Sequence, residues 1–143
     1  MRKLYVLAVY ELNGSVEVIN TRSNSDLFDY HMTSGVQLEE MGYKPVQFII
    51  TTNKEVHLKA LLKARLMELR SYTEKSMELL QAQMGFFPDE VLVQTQKMVE
   101  EHEETLMFRI GGVVSKLLRR GVDITDELAL ACYCYRQNIL ASV

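Results

Sequence analysis

A chain of 143 residues with a formal net charge of −3 has the size of one domain, and it can withdraw roughly two thirds of its unfolded surface from water. Hydrophobic residues at 48 % and charged residues at 24 % argue against a disordered or fibrous chain, and the mild acidity disfavours a nucleic-acid binder. No run approaches the ~18 consecutive apolar residues of a membrane span, so a soluble protein without a membrane partner is expected. The two cysteines, Cys132 and Cys134, would lie on nearly opposite faces of a helix, where they can neither bridge one another nor grip one metal. A reducing, cytoplasmic setting follows.

Arg2-Lys3 followed by Leu4 to Tyr10 superficially looks like a signal peptide, but the apolar run is short, and Glu11 and Asn13-Gly14 interrupt it before any small-residue cleavage site. It reads instead as a strand that is apolar at every position, hence covered on both faces and central in a small sheet. Asn13-Gly14 tolerates the positive φ angles of a tight hairpin, and Val16-Glu17-Val18 alternates behind it. Asn20 to Ser34 is polar and turn-rich; the sequence predicts an irregular segment with at most one helical turn, anchored by Phe28 and Tyr30. Val36 to Met41 reads as a short helix stopped by Gly42, and Pro45 opens a strand from Val46 to Thr51. If that helix makes a crossover, the third strand runs parallel to the second on the far side of the first, in the order 2-1-3.

The hydrophobic period changes near Thr52. Thr52-Asn53-Lys54-Glu55 reads as a capping box that opens a long helix, with Leu58, Leu62, Leu66, Leu69, Thr73, Met77, Leu80 and Met84 at helical spacing until Gly85. Pro88 suits the first turn of a second helix, whose stripe runs Leu92, Thr95, Val99, His102, Leu106, Ile110, Val113 and Leu117 until Arg119-Arg120-Gly121. Thr125, or Asp123 just before it, is the expected cap of a third helix ending near Leu140. The expected fold class is therefore α+β in a single domain spanning residues 1–143: a small three-stranded ββαβ sheet, residues 1–52, packed on a three-helix bundle, residues 53–143. Each of the first two helices would span roughly 45 Å, more than a compact domain of this size is wide. Either they protrude and pair with another subunit, or one breaks. Gly111-Gly112 is the expected break, since two mid-helix glycines cost about 2 kcal/mol against alanine unless a neighbouring backbone packs closely there.

Few residues point to a chemistry. Glu100, Glu101 and Glu104 in the run Glu100-Glu101-His102-Glu103-Glu104 have the spacing EExxE, and Glu100 and Glu104 share a helix face that could hold a magnesium ion. This resembles half of the motif of the all-α nucleotide pyrophosphohydrolases, the MazG-like family, in which ExxD on the next helix completes the site. Asp126-Glu127-Leu128-Ala129-Leu130 is similar to that second half, with Leu130 standing at the aspartate position. The resemblance covers residues 100–135, implies a magnesium-dependent hydrolase using Glu100, Glu101, Glu104 and Glu127, and leaves the sheet unaccounted for; a solvated acidic face is the simpler reading.

His102 falls on an apolar stripe, where a core or interface role is commoner than ligation, and no HxxxH or HExxH pair supports a zinc site. Lys59, Lys63 and Arg70, with Lys54 and Arg65 nearby, form a weak basic stripe on the first long helix, best read as a salt-bridged exposed face and alternatively as a nucleic-acid surface. Phe86 and Phe87 in the interhelical turn cannot easily both face inward, and the exposed one is a candidate interface anchor. No nucleophile elbow, GxGxxG or P-loop occurs. These features together predict a non-catalytic protein without a cofactor. It would form a homodimer through its long helices and bind a further protein as regulator, adaptor or inhibitor.

Overall fold

The computed structural model describes residues 3–142. Three strands, β1 (Tyr5–Leu12), β2 (Ser15–Arg22) and β3 (Lys44–Thr51), form one sheet in the order β2-β1-β3, with β1 antiparallel to both neighbours. The hairpin turn is Asn13-Gly14, with φ of 50° and 84°, the two consecutive left-handed residues that a two-residue connection between right-twisted strands requires. Helix α1 (Phe28–Glu40) carries the chain across to β3, which consequently runs parallel to β2.

Helix α1 is longer than its sequence suggests. It takes in residues 28–34, expected to be irregular, because its inner face finds a partner: Met32 and Leu38, with Tyr43, pack on Ala8, Tyr10 and Ile19. The register of β3 on β1 slips by one residue at Pro45-Val46, opposite Val9 and Tyr10, where proline has no amide to give to the ladder.

The other face of the sheet carries the main core. Leu7 and Val9, flanked by Val16, Val18 and Ile49, pack on Leu58, Leu61, Leu62 and Leu69 of α2 (Lys54–Gln83). Helix α3 (Asp89–Arg119) adds Leu106, Ile110, Val114 and Leu117, and α4 (Glu127–Ala141) adds Ala129 and Cys132. Helices α1 and α2 thus lie on opposite faces of the sheet, which is why β1 is buried on both sides.

Three details of the helices depart from the sequence reading. The cap of α2 is Asn53, whose side-chain oxygen accepts from the Val56 amide at 3.1 Å, and not Thr52. Asparagine is at least as good a cap as threonine, and the Asn53 amide is itself held by the Thr51 hydroxyl at 3.0 Å. Asp126, and not Thr125 or Asp123, caps α4 by accepting from the Ala129 amide at 3.0 Å. Helix α3 runs unbroken through Gly111-Gly112, because a neighbouring backbone does pack closely there: a Cβ on Gly111 would lie 2.6 Å from the Cys132 carbonyl oxygen and 2.7 Å from Arg136 Cβ of α4. Among the described residues no helix is long and apolar enough to cross a membrane.

Candidate functional site

Helices α2 and α3 have 30 and 31 residues and α4 has 15, so a third helix accompanies the long pair over only part of its length. Ile139, near the end of α4, lies beside Glu101 of α3. Between residues 77 and 98 no side chain is buried. This α2–α3 arm is antiparallel, as the contacts of Tyr72 with His102 and of Thr73 with Glu103 show. It leaves Met77, Leu79, Met84, Phe86, Phe87, Val91, Val93 and Met98 exposed, with Phe86 open over 85 % of its surface and Met98 over 70 %. A groove of about 730 Å³ runs along its base, lined by Tyr72, Leu79, Thr95, Met98, Val99 and His102. His102 is exposed on its stripe and leans on the Tyr72 ring, with centroids 4.4 Å apart.

The acidic run is dispersed by its helix. Glu100 accepts from Gln96 at 3.2 Å on its own helix, while Glu103 turns to Thr73 of α2 at 3.3 Å. Glu104 faces α4, where desolvation and then the Glu104 carboxylate push the Tyr135 hydroxyl above its ordinary value. The α4 residues beside Glu101 and Glu104 are Tyr135 and Ile139. Glu127 lies eight residues from Tyr135, roughly 12 Å along the helix, and Leu130 is also on its far side. Among the described residues no three carboxylate, histidine or cysteine side chains form a group able to hold a metal ion. Burial pushes the Cys132 thiol up to about 11, with help from the Asp126 charge, so it is held in the unreactive form.

The basic stripe on α2 is largely neutralised. Lys59 pairs with Glu55 at 3.4 Å, Arg65 with Glu68 at 3.0 Å and Arg70 with Asp126 at 3.5 Å, leaving Lys63 alone on that face among the described residues. Lys54 points elsewhere, to an open cavity of about 580 Å³ at the opposite end of the body from the arm.

That cavity was not legible in the sequence. Its cations come from four places, Lys3 before β1, Arg22 at the end of β2, Lys54 at the start of α2 and Lys116 near the end of α3, which share no motif or spacing. His57, without ligand-like neighbours in the chain, gains two in space: its Nε2 is 2.8 Å from the Asn20 side-chain oxygen, and its ring stacks on Tyr5 at 4.9 Å. His57 stands beside the stripe of α2 in the sequence, and only the tertiary structure buries it.

Comparison of the chain with protein-family models, with curated proteins and with solved structures gives no match.

Proposed function

We propose that this is a non-catalytic cytoplasmic binding protein, which dimerises through its α2–α3 arm and presents the tip of that arm, Phe86 and Phe87, to a partner protein. The observation that carries the reading is the arm itself. Two helices packed side by side with no buried side chain over residues 77–98 are an unfinished bundle. At about 100 Å² of open surface each, the six exposed apolar side chains other than Phe86 and Phe87 leave on the order of 600 Å² uncovered, approaching the roughly 800 Å² that one partner contributes to a standard interface. A second arm laid in the groove completes a four-helix arrangement and needs no other chain. Phe86, in the turn beyond the paired helices, is left free as an aromatic anchor for the further partner. The two unpaired thiols, Cys132 buried and Cys134 exposed, suit a reducing compartment.

Light scattering on the purified chain tests the dimer. The expected mass at tens of micromolar is twice that of the chain, and Met98→Glu, which places a charge in the groove, is expected to give a folded monomer with an unchanged far-ultraviolet spectrum. A wild-type chain that stays monomeric at every concentration overturns the reading. The hydrolase alternative makes a different demand: magnesium-dependent release of pyrophosphate from a nucleoside triphosphate, lost in Glu100→Gln with Glu104→Gln.

A further inference from the structure

The cavity between the sheet and the helix ends has a charge opposite in sign to that of the whole chain. Lys3, Arg22, Lys54 and Lys116 line it against one carboxylate, Asp26, which gives a local net charge of +3 in a chain whose formal charge is −3. On α2, Lys59, Arg65, Arg70 and Lys75 each have a carboxylate within 4.0 Å. Among the described residues none of the four cavity cations does. Like charges gathered without counter-charge repel, and the fold bears that cost here and in an adjoining hollow lined by Arg65, Arg109, Lys116, Arg119 and Arg136.

We propose that this cavity is a binding site for a small molecule bearing a phosphate or pyrophosphate group. Its volume, about 580 Å³, lies within the range of small-molecule sites. The donors suit a multiply charged oxyanion: the Arg22 guanidinium offers a planar fork, while Lys54 and Lys116 supply point charges. The wall behind them is rigid. Arg22 lies 5.6 Å over the Tyr5 ring, Tyr5 stacks on His57, and His57 is held by Asn20, so the guanidinium is oriented before a ligand arrives. A carboxylate ligand would neutralise one of the three excess charges and a phosphate dianion two; a pyrophosphate trianion answers the whole excess. Convergence of four chain segments on one hollow favours a compact ligand over a nucleic-acid strand, which would be tracked by a row of cations. The row on α2 is largely salt-bridged.

His57 reports on the site from within. It is buried, and burial together with the charges of Arg22, Lys116 and Lys54 lowers its pKa. A bound dianion opposes those three charges and raises it. His31 also borders the cavity, whereas His102 lies on the arm and serves as the internal control.

The test is titration of the full chain with inorganic pyrophosphate at low ionic strength, followed by calorimetry and by the imidazole proton resonances. Saturable binding is expected, with a higher thermal midpoint, an upward shift of the His57 titration curve and a stationary His102. Lys116→Gln combined with Arg22→Gln removes two exposed charges without touching the core, and it is expected to weaken binding at least about tenfold while the unliganded protein keeps its thermal midpoint or gains. Lys54→Gln is the second variant, expected to weaken binding in the same sense. Absence of saturable binding at about 10 mM pyrophosphate overturns the proposal, as does wild-type affinity in both variants or a His102 shift as large as that of His57. A single-stranded oligonucleotide that binds more tightly than pyrophosphate, and loses affinity in Lys59→Gln with Lys63→Gln but not in the cavity variants, overturns it in favour of a nucleic-acid surface. The outcome is independent of the arm, since a monomeric protein retains the whole cavity.

Discussion

At the scale of single residues, local polar chemistry decides where elements start and how they respond to pH. Asn53 and Thr52 are both acceptable cap residues, and only the chain direction at the end of β3 selects between them. With the Asn53 side chain on the Val56 amide, Asn53→Ala is expected to destabilise the fold by about 1 kcal/mol and Thr52→Ala to have little effect; urea midpoints of the two variants check this. His57 has a folded-state pKa below its unfolded value of about 6.5, so protons bind the unfolded chain more tightly. Its contribution to stability is complete above about pH 6.5 and declines as the pH falls through the folded value, with a slope no steeper than about 1.4 kcal/mol per pH unit. Glu17, raised by burial and then by Glu68, acts in the opposite sense nearer the carboxylate range. Denaturation midpoints measured between pH 7.5 and pH 5.5 are therefore expected to fall in the wild type and to flatten in His57→Gln.

At the scale of elements, two adjacent glycines in α3 have opposite structural meanings. A methyl group on Gly111 meets the Cys132 carbonyl and the Arg136 Cβ, which are main-chain and near-main-chain atoms that no rotamer change can move. A methyl on Gly112 meets only the Arg136 guanidinium at 3.3 Å, the far end of a long side chain that lies 4.3 Å over the Phe108 ring. Alanine gains about 1 kcal/mol of helix propensity at either position, while overpacking costs about 1–3 kcal/mol where nothing can yield. Gly111→Ala is thus expected to lower stability by about 1–2 kcal/mol, and Gly112→Ala to leave it unchanged or raise it by up to about 1 kcal/mol. Thermal unfolding of the pair checks the contrast, and similar effects of the two substitutions would place the α3–α4 contact elsewhere.

At the scale of the whole molecule, the body and the arm differ in what holds them. In the body, α2 and α3 are clamped between sheet and α4, whereas between residues 77 and 98 they have only one another and no buried side chain. An isolated two-helix hairpin of that kind opens at low free-energy cost. If the dimer forms as proposed, amides of residues 77–98 are expected to exchange with solvent slowly in the wild type and to become fast in Met98→Glu, while those of β1 stay protected in both. Hydrogen exchange read by mass spectrometry resolves the two regions. Rapid exchange of the arm in the wild type would mean that no second copy covers it.

The sequence alone determined the α+β class, the hairpin at Asn13-Gly14 and the two long helices, because each rests on short-range signals: period, turn residues and start and stop marks close in the chain; the strand order it offered only on condition that α1 makes a crossover, which the structure supplies. The same signals could not separate body from arm, since the stripe Leu58 to Met84 has one helical period throughout and only the reach of the sheet and α4 divides its buried half from its exposed half. They also missed the first half of α1, whose helical state depends on Ala8, Tyr10 and Ile19 beneath it, and the continuity of α3 at Gly111, which depends on the backbone of α4. The basic cavity lay furthest out of reach. Lys3, Arg22, Lys54 and Lys116 become neighbours only when a sheet edge and two helix ends are brought to one point, and charges that meet through topology leave no local mark in the chain.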